Sequence, residues 1–267
     1  MRLALILEYD GSAFCGWQTQ PTGCAIQDHL ERALSEIAGV RIATLCAGRT
    51  DAGVHALMQT VHFDCDVERP QSAWVRGVNA LLPSAVAVRS AQPVPEEFNA
   101  RYSARGRRYV YALLSRPQRP ALLTQRVGWT HLPVDERRML DAAAHLIGKH
   151  DFSAFRSAQC QAQSPVREMR EITIVRQHDL LLIEFAANAF LHHMVRNIVG
   201  ALVQVGSGRQ APEWVGAVLE SRDRARAAAT FAPHGLYFTQ VEYPPHFNLP
   251  QADVFDNTAF IDTWRRQ

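Results

Sequence analysis

Lysine is nearly missing from this chain of 267 residues: Lys149 stands alone, and arginine fills every other one of the 28 Lys+Arg positions. Cysteine is sparse and poorly patterned. Cys15, Cys24, Cys46, Cys65 and Cys160 are five in number and form no C-x-x-C step, so neither a disulfide framework nor a zinc site is suggested, and free thiols in a cytosolic compartment are expected. No run approaches the roughly 20 apolar residues of a membrane span. The opening MRLALILEYDG turns acidic too early for a secretory signal, which leaves a soluble, cytoplasmic protein as the expectation. A phosphate-cradling P-loop, a dinucleotide fingerprint and a Ser-His-Asp signal are all missing, so nucleotide-dependent chemistry and serine hydrolysis lose their usual sequence support.

What is present is an ordinary globular composition, 47% hydrophobic and 20% charged, on a chain long enough for one large domain or two modest ones. The net charge of +2 hides an uneven distribution. Residues 1–103 carry 8 Lys+Arg against 11 Asp+Glu, residues 104–245 carry 18 against 12, and residues 246–267 carry 2 against 3. Residues 101–130 hold seven arginines and no acid. Two readings are open. A high-GC codon usage writes arginine wherever a cation is wanted; alternatively, the guanidinium groups clamp the phosphates of a polyanion.

The pattern of elements also runs twice. RLALILEYDG reads as a strand entering a turn, and CAIQDHLERALSEIAG puts Ile26, Leu30, Leu34 and Ile37 on one helical face. TVHFDCDV follows, with Val61, Phe63, Cys65 and Val67 on one strand face. The second half opens on the strand RRYVYALLSR and continues with a helix over 135–148. The strands REITIV and LLLIEFAA come next, then the helix FLHHMVRNIVGALVQVG and a last strand GLYFTQVEY. These imply an α+β protein of two similar halves, each an antiparallel sheet flanked by helices, over 1–103 and 104–245, with a tail over 246–267 that lacks a clear period.

Local chemistry centres on CAGRTDAGVHA. Asp51, before Ala-Gly, either caps a turn or is presented by a loop as nucleophile or base; a carboxylate used that way must stay ionised, which needs a cation or N–H donors beside it. Arg49, two residues away, serves such a carboxylate or holds a phosphate. Arg196, at the edge of the apolar helix after FLHHMV, either snorkels to water or meets a buried carboxylate. His192 and His193 diverge by about 100° on a helix, and no H-E-x-x-H or third ligand accompanies them, so no metal is expected. Tyr109 and Tyr111 share a strand face, either as an aromatic cluster or with a ring packed on a base beside arginines. Arg107, Arg119, Arg156 and Arg167 are the candidate phosphate contacts. The last two belong to FSAFRSAQCQAQSPVREM, a polar segment read either as a rim or lid or as an unstructured surface stretch.

Taken in order, AFCGWQTQP, CAGRTDAGVHA, RRYVYALL, DFSAFRSAQCQAQSPVREM and NAFLHHMVRNIVGALVQVGSGR resemble the tRNA pseudouridine synthase A family over about residues 1–245. That resemblance implies a cofactor-free homodimeric isomerase of two α+β halves with the active-site cleft between them, converting uridines at tRNA positions 38 to 40. It also implies that Asp51 is the catalytic carboxylate and that Arg49 displaces and holds the flipped nucleotide. Tyr109 would pack on the uracil, and Arg196 would pair with the carboxylate. Two rivals from the residues alone are a non-catalytic RNA-binding module, which gives Asp51 no role, and a carboxylate-dependent nucleosidase, which normally needs a second acid.

Overall fold

The computed structural model describes residues 1–250; the part of the expected tail from 251 onward lies outside the described residues. The chain divides into two compact units, one made of Met1–Arg105 with the strand that begins near Tyr237, the other of Gly106–Leu236.

In the first unit, β1 (Arg2–Tyr9) pairs antiparallel on one side with β3 (His55–Asp64) and on the other with β4 (Val86–Val94). The short β2 (Leu45–Cys46) adds to β3. The strand expected to close the second half, β10 (Leu236–Glu242), runs parallel to β3, with Tyr237 opposite His55. Chain order alone does not reveal such a return, because a parallel neighbour can come from any distance along the chain. Helix α1 (Ile26–Ala38) buries Ile26, Leu30 and Leu34 as its spacing predicts and stops at Gly39, which takes a left-handed conformation. It packs with a π turn over Ala73–Gly77 that leads into α2 (Val78–Leu81).

The strand β3 differs from its predicted one-sided pattern, since both of its faces are buried. Phe63 meets Trp74 of the π turn edge to face at 5.3 Å. On the opposite face His62 lies edge-on to Phe98, which in turn packs against Tyr243 and Phe247. Residues 95–103 and the start of the tail thus form a second cover that has no helical or strand period to announce it. Arg2 fastens the end of the β1–β3 ladder with two 2.8 Å bonds to Asp64, directly opposite in register, and holds that carboxyl below its usual range.

The second unit contains the antiparallel order β5 (Gly106–Ser115), β9 (Leu180–Ala187), β8 (Val166–Gln177), β7 (Gly148–Asp151). A short β6 (Gly128–Thr130) runs parallel to the end of β5. Helix α3 (Glu136–Ala144) is capped by the Asp135 side chain, which accepts from the Arg137 and Arg138 N–H groups, and Arg176 of β8 ties it down through Glu136 at 2.7 Å. Helix α4 (Met194–Gly206) is buried on nearly every side, and α5 (Glu213–Ser221) packs beside α3. The apolar spacing predicts that α4 starts at Phe190. It begins four residues later because His193 adopts φ +63°, a left-handed conformation from which no helix can continue backwards. Both units are sheets carrying helices, the α+β plan read from the sequence.

One buried histidine supplies a pH test of the first unit. His62 is only 6% exposed, and its Nδ1 accepts the Ala100 N–H at 3.1 Å. Burial first, then the Arg2 guanidinium, pushes its pKa below the ordinary value. A depressed folded value means that this stability is fully present above about pH 6.5, where the unfolded histidine titrates. It is lost as pH falls through the folded value. The urea midpoint is predicted to fall between pH 7 and 5, and His62→Gln to flatten that part of the curve.

Candidate active site

The Asp51 loop is built by two strands and a turn. Cys46 ends β2, and Ala47 continues the pairing by donating its N–H to the Thr60 carbonyl at 2.8 Å. Residues 48–54 then bridge to β3. The bend itself follows from D-A-G-V: the Val54 N–H donates to the Asp51 carbonyl at 3.1 Å, and Gly53 sits at φ +79°, which a side chain would resist. Within this loop Thr50 is buried, Arg49 exposed and Asp51 intermediate. Alternation of that kind turns Thr50 into the unit and leaves the two chemistry-bearing side chains on the other side.

The loop is also supported from below. The Trp17 N–H donates to the Thr50 carbonyl at 2.9 Å, and Gly16, at φ +96°, lies so close that a methyl group on it would come within 2.9 Å of the Thr50 carbonyl oxygen. Cys15 and Cys24 close this supporting segment with a disulfide, their Cα atoms 5.6 Å apart. The expectation of free thiols at these two positions is therefore corrected. The cause is the fold of the segment, in which the Cys15 N–H donates to the Cys24 carbonyl and brings the pair together; a spacing of nine is no motif. Cys46, Cys65 and Cys160 are free. Burial pushes the Cys46 thiol up to about 12 in spite of Arg49, so this cysteine, close to Asp51 in sequence, stays protonated and is no nucleophile.

In the second unit Tyr109 lies on β5, 8% exposed, and meets the Phe190 ring edge to face at 5.0 Å. By spacing Phe190 belongs to the α4 stripe; the early break at His193 frees it to hold Tyr109. Tyr111, on the same face of β5, is fully buried and donates to the Ala232 carbonyl at 2.7 Å. Arg196 is in the first turn of α4. Its Nε donates to the Phe231 carbonyl at 2.9 Å, and the Phe231 N–H donates back to the Arg196 carbonyl at 3.2 Å. The same 227–232 segment is clamped from the other side. Asn197, wholly buried, accepts from Thr230 at 2.7 Å and from Arg224 at 3.1 Å, while its own amide donates to the Phe155 carbonyl at 2.8 Å. Tyr111 and Arg196 bond the backbone of this segment and Asn197 its Thr230 side chain, and Arg196 is held in place from it. Sequence reasoning singles out Arg196 and Tyr109 but not Phe190, Asn197 or Arg224. A wholly buried Asn beside an Arg in an apolar helix was the available signal.

The four other arginines have different settings. Arg107, also on β5, donates to the Asn188 carbonyl at 3.1 Å. Arg119 is exposed between β5 and β6 and makes no hydrogen bond or ion pair with the described residues. Arg156 bonds the Cys160 and Ala162 carbonyls through one terminal nitrogen, at 2.6 and 2.8 Å, which gives the 156–165 segment a definite fold. Burial would raise the Cys160 thiol, but the Ala162 and His192 N–H groups and Arg156 together hold it below its ordinary value. Arg167 likewise uses one terminal nitrogen, on the Ser164 and Val166 carbonyls. Among the described residues the buried Nε of Arg167 has no hydrogen-bond partner.

A family model described as tRNA pseudouridine synthase matches residues 5–103 and 142–244, which brackets the Asp51 loop, β8, β9 and α4. The chain is 55% identical over 262 residues to the tRNA pseudouridine synthase A of Dechloromonas aromatica (strain RCB), covering 98% of both. It is 55% identical over 254 residues to that of Burkholderia thailandensis, covering 95% of this chain and 94% of the relative. With that of Burkholderia mallei (strain SAVP1) it shares 54% identity over the same length. The chain belongs to the tRNA pseudouridine synthase A family.

Proposed function

We propose that the chain isomerises uridine to pseudouridine in tRNA, at positions 38, 39 and 40 of the anticodon stem-loop, with the Asp51 carboxylate as nucleophile or base. The observation that carries this reading is the loop 48–54, which buries Thr50 and leaves Asp51 and Arg49 on the far side of a turn pinned at both ends. The reaction breaks the N1–C1′ bond and joins C5 to C1′ of the same nucleotide, so it balances without an electron donor or acceptor and calls for no cofactor. Asp51 either attacks C1′ or removes a ribose proton. Both routes need the carboxylate charged and its backbone still.

The remaining roles follow from what each side chain offers. Unstacking a uridine costs a few kcal/mol, and Arg49, exposed beside Asp51, offsets part of that by holding the backbone phosphate or filling the vacated space. Tyr109, steadied by Phe190, is a platform for the detached uracil. Arg196, oriented through its Nε by the Phe231 carbonyl, supplies positive charge that keeps the catalytic carboxylate ionised. Arg107, Arg119, Arg156 and Arg167 contact RNA phosphates. We further propose a homodimer without a metal, acting in the cytoplasm where tRNA resides; the Cys15–Cys24 bond is the one feature that does not follow from that location. A light-scattering mass equal to the 29.9 kDa of one chain would contradict the dimer.

Two measurements separate an enzyme from a binding module. Asp51→Asn keeps size but removes charge; pseudouridine formation is predicted to fall to background in single-turnover assays while tRNA affinity changes less than about threefold, because phosphates and stacking supply most of that affinity. A folded variant working at the parental rate rules the carboxylate out. Removing Arg107 or Arg119 is predicted to weaken tRNA binding and to reduce the slope of log affinity against log salt by about one unit or less for each phosphate lost. Unchanged slopes for both would assign those arginines to the codon-usage reading.

A further inference from the structure

Behind the Asp51 loop lies a chain of buried polar side chains, all within the first unit. Tyr9 of β1 is 4% exposed, Thr50 7% and Gln59 of β3 not at all. The Gln59 Nε2 donates to the Gly48 carbonyl at 2.6 Å and to the Tyr9 hydroxyl at 3.3 Å. Tyr9 and Thr50 share a hydrogen bond of 2.8 Å between their hydroxyls. The amide cannot be turned over, because its oxygen would then face the Gly48 carbonyl. Gln59 donates to the Tyr9 oxygen, and either hydroxyl can be the donor in the bond between Tyr9 and Thr50.

Stability does not explain this arrangement. Gln59 Oε1 is buried with no hydrogen-bond partner among the described residues, a desolvation cost that an apolar side chain of the same shape would not carry. What the chain supplies is position. It fixes Gly48 by its carbonyl and Thr50 by its hydroxyl, while Trp17 fixes the Thr50 carbonyl and Val54 the Asp51 carbonyl. Four fixed points on residues 48, 50 and 51 leave Arg49 and the Asp51 carboxylate little backbone freedom.

We propose that Tyr9, Thr50 and Gln59 are positioning residues for the Asp51 carboxylate, acting through the backbone of residues 48–51. The proposal rests on Asp51 being the reacting group. A misplacement of about 1 Å costs on the order of a hundredfold in rate, so hydroxyls that never touch RNA are expected to control the chemical step and not binding.

The test uses full-length protein and an unmodified tRNA with uridines at 38 to 40, and reads the single-turnover rate, RNA affinity and melting temperature separately. Tyr9→Phe and Thr50→Val should each slow pseudouridine formation by about 10- to 100-fold with RNA affinity within about twofold, while Thr50→Ser, which keeps the hydroxyl, should recover most of the rate. Since both single variants break the same hydrogen bond, the double variant should be no slower than the slower single. Parental rates in Tyr9→Phe and Thr50→Val overturn the proposal. Equal losses in Thr50→Ser and Thr50→Val that track a falling melting temperature also overturn it, because packing and not the hydroxyl would then be responsible. Asp51→Asn, run alongside, distinguishes the two levels: if it is inactive while Thr50→Val is fully active, the positioning role alone is lost. If Asp51→Asn is active, both readings are lost.

Discussion

A side-chain amide holding a backbone carbonyl is the contact on which the Asp51 loop depends. Gln59 points from the middle of β3 and grips Gly48, the first residue of the loop, at 2.6 Å, which fixes where the loop starts. Everything that follows along the chain inherits that constraint: Thr50 turns inward, the turn at Asp51 closes on Val54, and β3 resumes at His55. A polar side chain with no exposure is costly to bury. Its presence makes sense where geometry matters more than the last increment of stability.

The second unit solves a parallel problem by a different route. Arg196 has a flexible side chain on a helix that is otherwise almost entirely buried, and a guanidinium left to itself would wander to water. The Phe231 carbonyl catches its Nε, and that carbonyl is itself steadied by Tyr111 through Ala232 and by the Asn197, Thr230 and Arg224 cluster. A charged group is thereby aimed using neutral backbone. Tyr109 is treated similarly, with Phe190 set against its edge. In both units, groups assigned to chemistry are oriented by neighbours that have no chemical part of their own.

Much of this was legible in the sequence where period and motif agree. The apolar face of α1, the strands β1, β5, β8 and β9, and the stripe of α4 follow from spacing, and G-R-T-D-A-G by itself signals a tight turn. What was not legible has particular causes. The break before α4 depends on one left-handed histidine, His193, that a four-residue stripe runs straight through. The second buried face of β3 is covered by Phe98, Tyr243 and Phe247, which come from irregular segments far apart in the chain. The Cys15–Cys24 bond follows a local fold-back and not a motif. Tyr9, Thr50 and Gln59 come from three separate places and acquire meaning only when β1 and β3 are paired.

Formation of pseudouridine in the anticodon stem-loop is the claim to which every residue role above is tied. Incubating the purified protein with unmodified tRNA bearing uridines at 38, 39 and 40, and mapping pseudouridine chemically at single-nucleotide resolution, tests it most directly. Product confined to those positions, formed without any added cofactor, is the predicted result. No pseudouridine anywhere in a tRNA that the protein demonstrably binds would contradict the enzyme, and product only outside the anticodon arm would contradict the assigned substrate.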